Sequence, residues 1–209
     1  MEQNARTTLS FSEPYLKAEM IENVKNYNIN SNTVVINSGE KEIIIEGKPL
    51  RPWQTAVFQN ININTADLLI CITANLENHP ESKYPFTDKI IKSWNHVYDI
   101  FPLPHLKERE LWRSDKHKIG KIELNLWFAS AGTHCGIHNE HNFKEIHTQI
   151  YGIGRMQKFH ENSYESLYQD VYMSPGFTHE PFYNEQGLYP WHQYLADTEC
   201  IWLAIEFYK

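Results

Sequence analysis

Between Gly132 and His179 the chain sets histidines and carboxylates at strand spacing, and this restricts the fold more than any other feature of its 209 residues. The series runs Gly132, five residues, His138, one residue, Glu140, four residues, Glu145, six residues, Gly152. Further on, Asp170 leads through Pro175 and Gly176 to His179. Side chains on a strand repeat every second residue, so His138 and Glu140 share a face. Glu145, His147 and Gln149 form a second row of the same kind. Pro175-Gly176 is a turn that brings His179 back toward them. The runs 121–130, 145–151, 155–159 and 167–173 all read as strands. Imidazoles and carboxylates converging inside a sheet point to a metal site. Glu145 and His147 are also candidate catalytic groups, either of which would orient a ligand or move a proton, and His147 is a candidate ligand as well.

The rest of the sequence sets limits on this reading. Its length suits one domain with a sizeable core. Apolar content of 41% and charged content of 22% are those of a soluble globular protein. An aromatic content of 13% favours strands and a lined pocket, with Trp127, Phe182, Tyr183, Trp191 and Tyr194 as candidate lining and His192 as a candidate substrate contact. A formal net charge of −7 with no Lys/Arg run argues against nucleic-acid binding. No apolar stretch is long enough to span a membrane, and the N-terminus lacks a secretory pattern, so the expected compartment is cytoplasmic. Cys71, Cys135 and Cys200 show no paired spacing and imply no disulfide framework. Cys135 lies near the histidines, where a small buried apolar role competes with a pocket role.

Along the chain, a helix is expected from 13 to about 27, with Leu16, Met20, Val24 and Tyr27 on one face. A hairpin around 38–40 joins strands 33–37 and 42–46. Strands at 54–58 and 67–72 follow. A second helix is expected over 86–101, capped by Thr87 or Asp88 and ended by Pro102 and Pro104. The charged run 107–118 reads as a solvated linker or exposed helix. From 121 onward the chain is strand-rich. Gly152-Ile153-Gly154 marks a turn, and strands at 191–194 and 199–207 close the sequence, the last apolar enough to be covered on both faces.

Gly132, His138, Glu140, Glu145 and Gly152 resemble the first motif of the cupin superfamily, with Glu140 standing where its second His falls. Residues 170–179 resemble the second motif, carrying Gly176-x-x-His179. There Pro175 adjoins Gly176, Tyr168 and Gln169 stand ahead of the strand where a Gly is expected, and Asn184 falls one place late. His-x-Glu followed by a distant His is also similar to the JmjC-type hydroxylases, cupin-fold enzymes that use 2-oxoglutarate. The resemblance implies a mostly β protein, a cupin-like double-stranded β-helix (jelly-roll) barrel over 121–209. Residues 1–120 would add helices and strands packed on it, within one structural domain. It implies a metal held by His138, Glu140 and His179, with Glu145, the family's carboxylate position, as a further ligand. His141 competes with Glu140, since a bulge would bring it into line. Fe(II) is the expected ion, and related ligand sets suit Mn, Ni and Zn. Lys144, Arg155 and Lys158 are the candidates to grip the carboxylate of 2-oxoglutarate. The implied function is a metal-dependent oxygenase acting on a small organic molecule. An isomerase or lyase using the metal as a Lewis acid, and a non-catalytic binding barrel, stand as alternatives. Barrels of the superfamily often pair, which makes a homodimer a candidate assembly.

Overall fold

The computed structural model describes residues 2–13, 16–74, 93–183, 186 and 188–208. The chain forms two compact units, residues 1–82 with 176–178, and residues 83–175 with 179–209. The segment 93–119 thus belongs with the strand-rich C-terminal part.

The first unit contains β1 (Ala5–Thr8), β2 (Leu16–Ile29), β3 (Thr33–Asn37), β4 (Ile43–Ile45), β5 (Lys48–Leu50), β6 (Thr55–Phe58) and β7 (Ile61–Ala74). Five of them form a sheet in the order β1-β2-β7-β3-β6. Ile21, Val24, Ile29, Val35, Ile63 and Leu69 bury its apolar face. The N-terminal helix is not found: 16–29 is strand, paired with β7 along its length. Burial explains the misreading. Asn23 and Asn26 take left-handed φ of 52° and 48° and drop out of the register with β7. They break the two-residue alternation, so Ile21, Val24 and, in part, Tyr27 are buried at three-residue steps, while Met20 is only half-buried. That spacing imitates a helix. The hairpin is also placed differently. β4 pairs with β5 through the left-handed pair Glu46-Gly47, and β3 pairs with β6 and β7. The buried Asn37 side chain holds the intervening loop, donating to the carbonyls of Lys41 and Leu50, each at 2.8 Å.

The second unit contains β8 (Asn95–His96), a single helical turn α1 (Val97–Ile100), β9 (Leu111–Arg113), β10 (His117–Ile119), β11 (Ile122–Ala129), β12 (Lys144–Tyr151), β13 (Gly154–Phe159), β14 (Leu167–Met173), β15 (Trp191–Ala196) and β16 (Cys200–Phe207). The expected helix over 86–101 is described only in its last residues, where α1 is one turn. Its proposed caps, like Asn184, lie outside the described residues. The charged run 107–118 forms β9 and β10, not a linker.

Two rows of strands make the barrel. In one, β12, β16 and β11 pair in sequence, with His179 joined to β12 through its N–H on the His147 carbonyl at 3.3 Å. In the other, β14, β13 and β15 pair in sequence, and residues 134–138 join the edge of β15 through the bridges His134↔Leu195 and His138↔His192. Strands alternate between the rows except for β13 and β14, a hairpin within one row. This is the connectivity of a double-stranded β-helix, the eight-strand jelly roll. The strands read from 121 onward are all present. β16 is buried from Cys200 to Glu206, as its apolar run requires. Gly152 turns the chain between β12 and β13 with φ 72°, and a Cβ there would overlap the Glu199 carbonyl oxygen.

Candidate metal centre

The barrel encloses a cavity of about 460 Å³ within the second unit. Inward positions on β12 are Glu145, His147 and Gln149, the row read from the sequence; β16 places Trp202 and Glu206 beside them. Trp127, Trp202, Leu106, Leu111 and Met156 give much of the lining its apolar character. Trp202 stacks on Trp127 and Tyr194, with centroids 5.9 and 4.0 Å away.

One group of possible ligands stands out among the described residues: a nitrogen from each of His138, His141 and His192, all within 4.8 Å of one another. His138 and His192 come together because they are cross-strand partners, exchanging backbone hydrogen bonds of 3.0 and 2.9 Å. His141 enters from the turn before β12, stacked between Tyr189 at 4.5 Å and His192 at 5.0 Å.

The outer nitrogens decide what the inner ones can do. His138 Nδ1 lies 2.9 Å from the Gly136 carbonyl, and His192 Nδ1 lies 2.9 Å from the Pro190 carbonyl. His141 Nδ1 faces Glu145 Oε1 at 3.4 Å. A carbonyl or carboxylate only accepts, so each Nδ1 carries the proton and each Nε2 carries a lone pair. His141 Nε2 and His192 Nε2 then face one another at 3.1 Å with no proton between them. Neighbouring imidazole ligands on an ion roughly 2.0–2.1 Å away stand about 3.0–3.4 Å apart, so the pair fits a shared cation. An outer N–H held by a carbonyl or carboxylate is also the ordinary support of a metal-bound histidine. Burial lowers the His141 pKa and, with His138 adding to it, takes His192 down to about 3, so both rings are neutral and free to ligate.

Glu145 is buried and stands behind this group. Its two oxygens face His141 Nδ1 and His147 Nε2, each at 3.4 Å. Burial alone would raise its pKa, but His147, His141 and His192 outweigh that and hold the carboxyl well below the usual carboxylate range. His147 Nδ1 lies 3.2 Å from His179 Nε2.

The remaining expected site residues fall elsewhere. Glu140 is exposed and lies outside the three-histidine group, although it borders the cavity. His179 is buried with both ring nitrogens engaged: Nε2 accepts the His147 N–H at 2.9 Å and Nδ1 lies 2.8 Å from the Glu180 carbonyl. Lys144, Arg155 and Lys158 do not line the cavity. Lys144 and Lys158 rest on the rings of Tyr183 and Phe182 at 4.5 and 4.7 Å, and Arg155 is paired with Asp170 and Asp197. Cys135 does line it, and burial pushes its thiol up to about 12, so it stays protonated. Sequence reasoning gave His192 only a substrate contact and passed over Arg113, which also lines the cavity. His192 is the second residue of β15, and its pairing with His138 shows only in the fold. Arg113 lies two residues from Leu111 on β9 and shares its face.

No family model matches the chain, and no curated protein matches it. Solved structures that it resembles are cupin and RmlC-like proteins. A salicylate 1,2-dioxygenase variant from Pseudoaminobacter salicylatoxidans, in complex with gentisate, is 9% identical, with 93% of this chain and 69% of that one covered at TM-score 0.41. A cupin 2 conserved barrel domain protein from Leptotrichia buccalis is 9% identical, with 99% and 91% covered at TM-score 0.38. Ectoine synthase from P. lautus is 13% identical, with 48% and 66% covered at TM-score 0.37. Likeness at this level carries no argument about activity. No helix among the described residues is long and apolar enough to cross a membrane.

Proposed function

We propose that the chain is a metal-dependent enzyme acting on a small organic molecule, with His138, His141 and His192 as the ligands and an oxygenase reaction on Fe(II) as its chemistry. The observation that carries this reading is the convergence of a ring nitrogen from each of three histidines, with the Nδ1 atoms of His138 and His192 on backbone carbonyls and that of His141 facing Glu145. Three protein ligands leave coordination positions open to a substrate, the arrangement of a catalytic site rather than a closed structural one. A bound Fe(II) supplies redox chemistry with O2, whereas Mn, Ni or Zn supplies Lewis acidity. The protein contributes the rest. Glu145 orients His141 and fixes its tautomer. His147, on the cavity wall with Glu145 at its Nε2, can hold or pass a proton at that atom. The aromatic wall excludes water and packs the apolar body of a substrate. The 2-oxoglutarate form of this reading draws no support from Lys144, Arg155 and Lys158, which stand outside the cavity.

Metal analysis of the purified protein, beside His192→Ala, tests the ligand set. Bound metal in the wild type and its loss in the variant are expected; equal metal content in both would refute the site. Oxygen uptake that requires Fe(II) supports the oxygenase. Anaerobic turnover with Mn or Zn would replace it with an isomerase or lyase.

A further inference from the structure

Arg113 sits on the same cavity wall as Trp127, its cross-strand partner, and on the same strand face as Leu111. Its guanidinium lies over the Phe101 ring at 5.3 Å and over the Trp127 ring at 5.8 Å. Stacking of this kind covers the faces of the group and leaves its edge N–H donors unused. Among the described residues no carboxylate lies within ion-pair distance of it, and its buried Nε has no hydrogen-bond partner. The nearby buried acid is already spoken for: Glu206 takes Lys116, the Asn125 amide at 2.9 Å and the Tyr208 hydroxyl at 2.8 Å. Burial lowers the Arg113 pKa against the pull of Glu206, yet a guanidinium stays charged at any working pH. Arg113 is half-buried, and a cation partly withdrawn from water with no ionic partner and a buried, unpartnered Nε is costly, a cost that a ligand anion lowers.

We propose that Arg113 is the anchor for the carboxylate of the substrate, which is therefore a small organic acid whose apolar body packs against Trp127 and Trp202 and reaches toward the three histidines. The carboxylate takes the guanidinium edge in a two-bond fork. The size of the cavity suits such a molecule. The proposal rests on the metal reading for the end of the substrate that reacts, and on Arg113 alone for the end that is held.

The test is calorimetric titration of the full chain with benzoate and hexanoate, each against its neutral amide. Zinc-loaded and chelator-stripped protein are compared, with metal content measured alongside. At least one acid should bind roughly tenfold or more tighter than its amide in both metal states, and Arg113→Met should abolish that preference without changing metal content. If Arg113→Met does not fold, Arg113→Lys keeps the charge, lacks the fork, and should bind the acid more weakly than wild type. The proposal is overturned if neither acid binds or if the preference persists in the variant. It is also overturned if the preference vanishes on chelation, which would put the carboxylate on the metal. Failure of zinc to load, with an Arg113-dependent preference intact, would remove the metal reading and leave the anchor standing.

Discussion

His179 is the residue whose role the structure changes most, and replacing it with Gln should alter acid stability while sparing the metal. Its Nε2 lone pair receives the His147 N–H at 2.9 Å inside the barrel wall. Protonating that nitrogen would set a donor against a donor. Burial, and then His147, take the His179 pKa from 6.5 down to about 3. The folded state therefore binds this proton less readily than the unfolded chain. The stability it contributes is complete above pH 6.5 and is lost progressively as the pH falls toward 3. Between about pH 7.5 and 5.0 the unfolded chain gains about 1.5 units of proton-binding advantage, which costs the native state about 2 kcal/mol. Gln keeps an acceptor and does not titrate. Urea unfolding of metal-stripped protein at both pH values should show wild type losing about 2 kcal/mol more than His179→Gln. Acid losses equal within error would refute the argument. The variant should also retain its metal, and loss of metal would return His179 to the ligand set.

Glu145→Gln should weaken metal binding roughly tenfold to a hundredfold, read by competition with a chromophoric chelator, because it removes the charge behind His141. Gly152→Ala should cost at least about 2 kcal/mol in denaturant unfolding, since the left-handed φ is strained for any L side chain and the new Cβ meets the Glu199 carbonyl. Arg155→Met should cost less than about 1 kcal/mol and leave turnover within about twofold, because its pairs with Asp170 and Asp197 are part-exposed and outside the cavity.

The strands of the barrel were legible because their apolar or ligand-bearing runs are of strand length and Gly and Pro punctuate the turns between them. What failed was reading the same periodicity through irregular backbone. In β2, two left-handed asparagines turn a strand into a three-residue repeat, and only pairing with β7 shows it to be a strand. The three-histidine group was missed for a related reason. Motif spacing compares residues along one strand, whereas His138 and His192 meet across a pair, and His141 arrives from a turn with no fixed direction. Spacing identified the segment that supplies two of the three imidazoles, and it set Glu145 and His147 inward. It could not decide between ligand and support for Glu145, because that depends on which nitrogen of His141 faces the carboxylate. Arg113 was hidden by its company: a run of charges looks solvated, and only the pairing of Leu111–Arg113 with β11 turns one of them inward. A cation that a sequence assigns to solvent, and the fold places beside Trp127 without a carboxylate, points to a substrate that brings the missing charge.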